Sequence, residues 1–116
     1  MLQKQKIAKA KTLKLSDLLS YQKGSIVSRQ IISKNTATVT VFSFDKGEGL
    51  SEHVAPFDAM VYIIEGTARV LIAGNSHILK KGEMIIMPAN RPHALRAIRR
   101  FKMLLVMVRS QERFNT

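Results

Sequence analysis

The chain has no cysteine, so disulfides and thiolate chemistry are excluded outright. It also lacks long apolar runs: none approaches the roughly 20 residues that a bilayer-spanning helix needs. The N-terminus, MLQKQKIAKAKTLKL, has no apolar stretch of signal-peptide length after its charges. Together these absences predict a cytoplasmic protein without a membrane partner. Acidic residues are scarce, 8 against 19 basic ones, for a formal net charge of +11. Such a balance raises the question of an anionic partner. Five lysines (Lys4, Lys6, Lys9, Lys11, Lys14) precede the first acid, Asp17, and a second group (Arg96, Arg99, Arg100, Lys102) surrounds a turn. Neither cluster is interleaved with aromatics for base stacking, and no helix-turn-helix, zinc-finger or RNP-like pattern occurs. Nucleic acid is therefore not the expected partner, and the basic residues read as solvated surface with a mobile basic tail.

What is present is strand signal. At 116 residues the chain makes one domain, able to bury roughly two-thirds of the surface of its unfolded form. Residues 1–24 read as a basic N-terminal arm and lead-in strand, with Ser16-Asp17 a candidate helix cap within Leu13 to Leu19. Residues 25–116 read as the folded body. The stretch Thr36 to Phe44 is rich in β-branched and aromatic residues and ends in a turn at Asp45-Lys46-Gly47-Glu48-Gly49. Further strands are expected at Ala59–Glu65, Ala68–Ala73, Ser76–Lys80, Met84–Met87, His93–Ile98 and Lys102–Arg109. Gly74-Asn75 suits a tight hairpin, because both residues tolerate positive φ. Short strands with turn signals every eight to twelve residues predict an all-β sandwich or barrel.

Two glycine-led patterns sharpen that expectation. Gly47 is followed after five residues by His53, then by Ala55, Pro56 and Ala59, and after six further residues by Gly66. Gly82 is followed by Pro88, His93 and Ala97. This resembles the two motifs of the cupin family: Gly, five residues, His-x-His, three or four residues, Glu, six residues, Gly; then Gly, five residues, Pro, four residues, His, three residues, Asn. The resemblance covers roughly residues 25 to 109 and implies a jelly-roll β-barrel, the cupin double-stranded β-helix of RmlC-like proteins. It also implies a homodimer. In the family, three histidines and the glutamate bind one divalent metal inside the barrel. Here only His53 and His93 match. The second histidine falls on Ala55 and the glutamate on Ala59, while Ala97 replaces the asparagine. Asp58 neighbours the glutamate position, but a one-residue offset on a strand faces the opposite way unless a bulge intervenes.

The missing groups leave volume that neighbours must refill or that stays as a cavity. Met60, Met84, Met87, Met103 and Met107, with Phe42, Phe44 and Phe57, are the candidate fillers, methionine being the adaptable one. An apolar pocket with few polar groups is the usual small-molecule site. The expected ligand contacts are His53, His93, Met84, Met87, Phe42 and Met103. Three functions stay open. The first is a small-molecule-binding barrel of undefined substrate. The second is a metal-dependent oxygenase or isomerase whose one weakly bound divalent metal rests on His53 and His93. The third is binding of nucleic acid or an anionic surface through the basic arm. His77 reads as a packing or surface residue, Tyr62 and Glu65 as packing and turn residues, and Arg91 as an exposed loop arginine.

Overall fold

A computed structural model of the chain describes residues 6–109; Lys4 of the lysine run lies outside them. A 3₁₀ turn at Leu15–Asp17 precedes nine strands: β1 Ile26–Ser33, β2 Ala37–Phe44, β3 Gly49–His53, β4 Phe57–Glu65, β5 Thr67–Ile72, β6 Asn75–Lys80, β7 Met84–Met87, β8 His93–Ala97 and β9 Phe101–Arg109. They form two antiparallel sheets, one five-stranded with order β1-β2-β9-β4-β7 and one four-stranded with order β3-β8-β5-β6. The all-β jelly roll expected from the sequence is thus the fold. None of the described residues forms a helix long and apolar enough to cross a membrane.

Alternation builds the core. On β4, Ala59, Val61 and Ile63 are buried; on β9, Phe101, Met103 and Leu105 are buried. Both sets lie at the two-residue period that places every second side chain on one sheet face. Their inward rows meet Val70, Leu79, Leu95 and Met87 in one cluster, in which Phe44 stacks on Phe101 with centroids 4.5 Å apart.

Three local expectations are corrected. The tight hairpin lies one residue earlier than Gly74-Asn75: Ala73 and Gly74 both have positive φ, and Ile72 pairs with Asn75, the first residue of β6. That register keeps Leu79 on the buried face, and a one-residue slip would expel it. The expected cap at Ser16-Asp17 is absent, since the 3₁₀ turn starts after Lys14 with no side-chain cap bond. The part of the arm that the structure describes is also not a free tail. Ile7 and Leu15 pack with Leu18, Leu19, Val27, Val41, Ile31 and Ile64 in a second cluster on the outer face of the five-stranded sheet.

Burying Leu18 and Leu19 there stabilises the lead-in by about 1.5–3 kcal/mol for each side chain. Polar contacts hold the same segment. Lys102 Nζ donates to Ser16 O at 2.6 Å, and Tyr21 Oη donates to Glu65 Oε2 at 2.7 Å under the Arg100 guanidinium. Burial and the Glu65 carboxylate push the Tyr21 hydroxyl pKa up, so the tyrosine remains a donor. This gives Glu65 a contact that turn formation alone does not supply.

Candidate functional site

β3 was not expected from the sequence, because Ser51-Glu52-His53 is polar and Gly49 reads as the end of a turn. It is the strand that delivers His53. Leu50 pairs with Leu95 and His53 pairs with His93, so three steps along β3 span two steps along β8. The odd step matters. From an inward Leu50, strict alternation would turn a residue three positions later outward. The extra residue of the bulge restores the parity and re-aims His53, which lands across from His93 with ring centroids 4.4 Å apart. From there a two-residue period continues through the connection into β4, and His53, Ala55, Phe57 and Ala59 all line one cavity.

The other walls of that cavity come from β7, β8 and β9. Met87, His93, Leu95, Met103, Leu105 and Met107 contribute, and Leu50 closes the β3 side. The volume is about 40 Å³, enough for a compact group but not for a large substrate. His93 is buried and His53 is exposed, so the two rings form a polar edge between the apolar interior and solvent.

Hydrogen bonding assigns the ring nitrogens. His53 Nδ1 lies 2.8 Å from Ser51 O, and His93 Nδ1 lies 3.2 Å from Arg91 O. A carbonyl oxygen only accepts, so each Nδ1 is the donor. In the neutral rings each Nε2 is then left with a lone pair and no proton. Burial, followed by the neighbouring His53, lowers the His93 pKa, outweighing the opposing bond to Arg91. His93 is therefore neutral at physiological pH. Two acceptor nitrogens at the rim of an apolar hole can receive a donor group or bind a cation.

The structure brings together His53, His93, Met87 and Met103 from the expected ligand contacts. It does not bring Met84 or Phe42 to the cavity. Met84 is 45% exposed on the outer face of β7, because the period of that strand turns Ile85 and Met87 inward instead. Phe42 faces the core from β2, opposite Met103, but packs beside Phe44 and away from the cavity lining. Met60 alternates outward from Ala59, and Phe44 is core. Leu50, Leu95 and Leu105 line the cavity without having been singled out. Period-two counting from His93 finds Leu95, but Leu50 needs the bulge.

Asp58 is exposed, accepts a hydrogen bond from Ala89 N, and has no bulge beside it. His77 is exposed on β6, and Arg91 is exposed with its carbonyl holding His93. Ala97 is buried across from Ala68 and lies outside the cavity. Ala55 and Ala59 thus line the cavity, while Ala97 is packed in the core beside it.

The four positions that hold a divalent metal under the cupin resemblance (His53, Ala55, Ala59, His93) do converge on one cavity. Two of them are alanine, and the described residues contain no group of three or more His, Cys, Asp or Glu able to hold a metal. Open metal sites ordinarily keep three protein ligands. The residues present do not fit the family's hard, carboxylate-containing centre.

Comparison with known proteins agrees with this fold. The family profile described as "Cupin domain" matches residues 40–108. A conserved protein of unknown function from Streptococcus pyogenes is 37% identical with a TM-score of 0.88, over 93% of this chain and 95% of that one. A cupin 2 conserved barrel domain protein from Leptotrichia buccalis is 40% identical with a TM-score of 0.80, over 84% of this chain and 47% of that one. A cupin superfamily protein from Desulfitobacterium hafniense, 24% identical, shares the fold with a TM-score of 0.85 over 91% of this chain and 97% of its own. Among curated proteins no match was found.

Proposed function

This chain belongs to the cupin domain family, and from that premise we propose that it binds a compact, largely apolar small molecule in its barrel, with His53 and His93 orienting the polar head. The observation that carries the reading is the pairing of an apolar cavity with two imidazoles whose Nδ1 atoms lie against backbone carbonyls. Both Nδ1 protons are already committed to carbonyls, so the site offers acceptors at Nε2. It favours a ligand whose head donates a hydrogen bond, such as an alcohol or phenol hydroxyl. The apolar walls reward the body of the ligand by about 25 cal/mol per Å² removed from water, and the cavity of about 40 Å³ restricts the buried part to a few heavy atoms.

A metal-dependent oxygenase or isomerase is the weaker reading, because it would run on two of the family's four ligands. The test compares donors with their blocked analogues. NMR titration of the full chain with phenol and short-chain alcohols should perturb Met87, Met103 and His93 resonances. The corresponding methyl ethers should bind about 5- to 150-fold more weakly, since a buried acceptor left unpaired costs about 1–3 kcal/mol. In His53→Ala the preference should shrink. Equal binding of alcohol and ether would remove the role given to the histidines.

A further inference from the structure

Ala59 stands where the family has a carboxylate, and its two cross-strand neighbours are both methionines: Met87 on β7 and Met107 on β9 pair directly with it. All three line the cavity beside His53 and His93. With strands about 4.8 Å apart, the two methionine backbones straddle the alanine at roughly 10 Å. Each thioether has three rotatable bonds with which to reach the space the carboxylate would fill. The lost oxygen donor is thus bracketed by sulfur donors, in a chain that has no thiolate to compete with them.

We propose that this cavity is a Cu(I) site, with His53 Nε2, His93 Nε2 and a thioether from Met87 or Met107 as ligands. Two arguments select this ion. Thioether and imidazole are soft and borderline donors, which suit Cu(I), whereas Mg²⁺ and Mn²⁺ require oxygen. The donor set is also neutral. The cost of transferring an ion from water into an apolar site scales with the square of its charge, and no carboxylate is present to offset it, so a monovalent ion is favoured over a divalent one. The locked Nδ1–H···O=C bonds supply the outer support that a metal-binding histidine normally has. Cu(I) takes the same nitrogen lone pairs as the ligand head described above, so loading with one excludes the other.

The test is anaerobic titration of the full chain with Cu(I) against the chromophoric chelator bicinchoninate, with Mn²⁺ titrated in parallel. The expected result is one equivalent of Cu(I) retained, no retained Mn²⁺, and sulfur in the first shell by X-ray absorption. The volume-conserving pair Met87→Leu/Met107→Leu should lose at least tenfold in Cu(I) affinity along with the sulfur signal. His53→Ala, at an exposed position that carries no core packing, should lose at least tenfold as well. If the double variant does not fold, each single methionine variant is measured in its place, and loss of the sulfur signal in one of them is required. Failure to retain Cu(I) against the chelator would overturn the proposal, as would retention unchanged in the methionine or His53 variants. Neither result affects the alcohol-against-ether comparison, so the two readings fail separately.

Discussion

Restoring the two missing family ligands is the sharpest test of how the cavity is built. In Ala55→His/Ala59→Glu, three imidazoles and one carboxylate would surround the space now lined by His53, His93 and two methyl groups. Ala59 is 2% exposed, so without metal the new carboxylate is desolvated and crowded between Met87 and Met107. Part of the added volume enters the existing hole of about 40 Å³; the rest is overpacking, at roughly 1–3 kcal/mol. Incomplete hydrogen bonding of the carboxylate adds roughly 1–3 kcal/mol. The metal-free variant should therefore be roughly 2–6 kcal/mol less stable than wild type.

A divalent ion at a hundred times its dissociation constant returns about 2.7 kcal/mol. At about 4 °C per kcal/mol for a domain of this size, thermal unfolding should rise by roughly 10 °C on adding Ni²⁺ or Mn²⁺ to the variant. Wild type should shift far less with Mn²⁺. Circular dichroism melts with elemental analysis of the desalted protein provide the assay. A folded variant that gains neither metal nor stability would show that positions 53, 55, 59 and 93 do not share one centre. Ala55→His alone, a milder change at a half-buried position, gives a three-histidine version should the double variant fail to fold.

Two further outcomes follow from local geometry. Gly66 has φ +87, and an added Cβ would collide with Arg100 O and the Phe101 backbone. Gly66→Ala should therefore cost about 3 kcal/mol or more, the sum of left-handed strain and displaced backbone, read as a lower midpoint in urea; a change below 1 kcal/mol would refute the close approach. Near neutral pH, His93 contributes a pH dependence of stability. Its folded pKa lies below the unfolded value of 6.5, so below about pH 6.5 the unfolded chain takes up a proton that the folded chain does not. Stability should fall as the pH drops from about 6.5 to the folded pKa, and the slope should flatten in His93→Gln. An unchanged slope in that variant would place the titration elsewhere.

Much of this was legible in the chain itself. The short strand signals, among them Ala59–Glu65 and Lys102–Arg109, the turn glycines, and the spacing of His53, Pro88 and His93 point to an all-β barrel and name its two candidate site histidines, because strand composition and turn chemistry are local properties. The same spacing identified Ala55 and Ala59 as the lost ligands, and all four positions meet. What local pattern does not carry is pairing. The bulge that brings His53 opposite His93 exists only as a mismatch between β3 and β8. Met84 and Met87 stand three apart on one strand, so the two-residue period puts them on opposite faces, and only the pairing of β7 with β4 decides which of the two meets the cavity. The row Met87–Ala59–Met107 joins three strands far apart in the chain. Only the tertiary fold put two sulfurs beside the missing carboxylate, since which strands become neighbours is settled by packing the whole sheet.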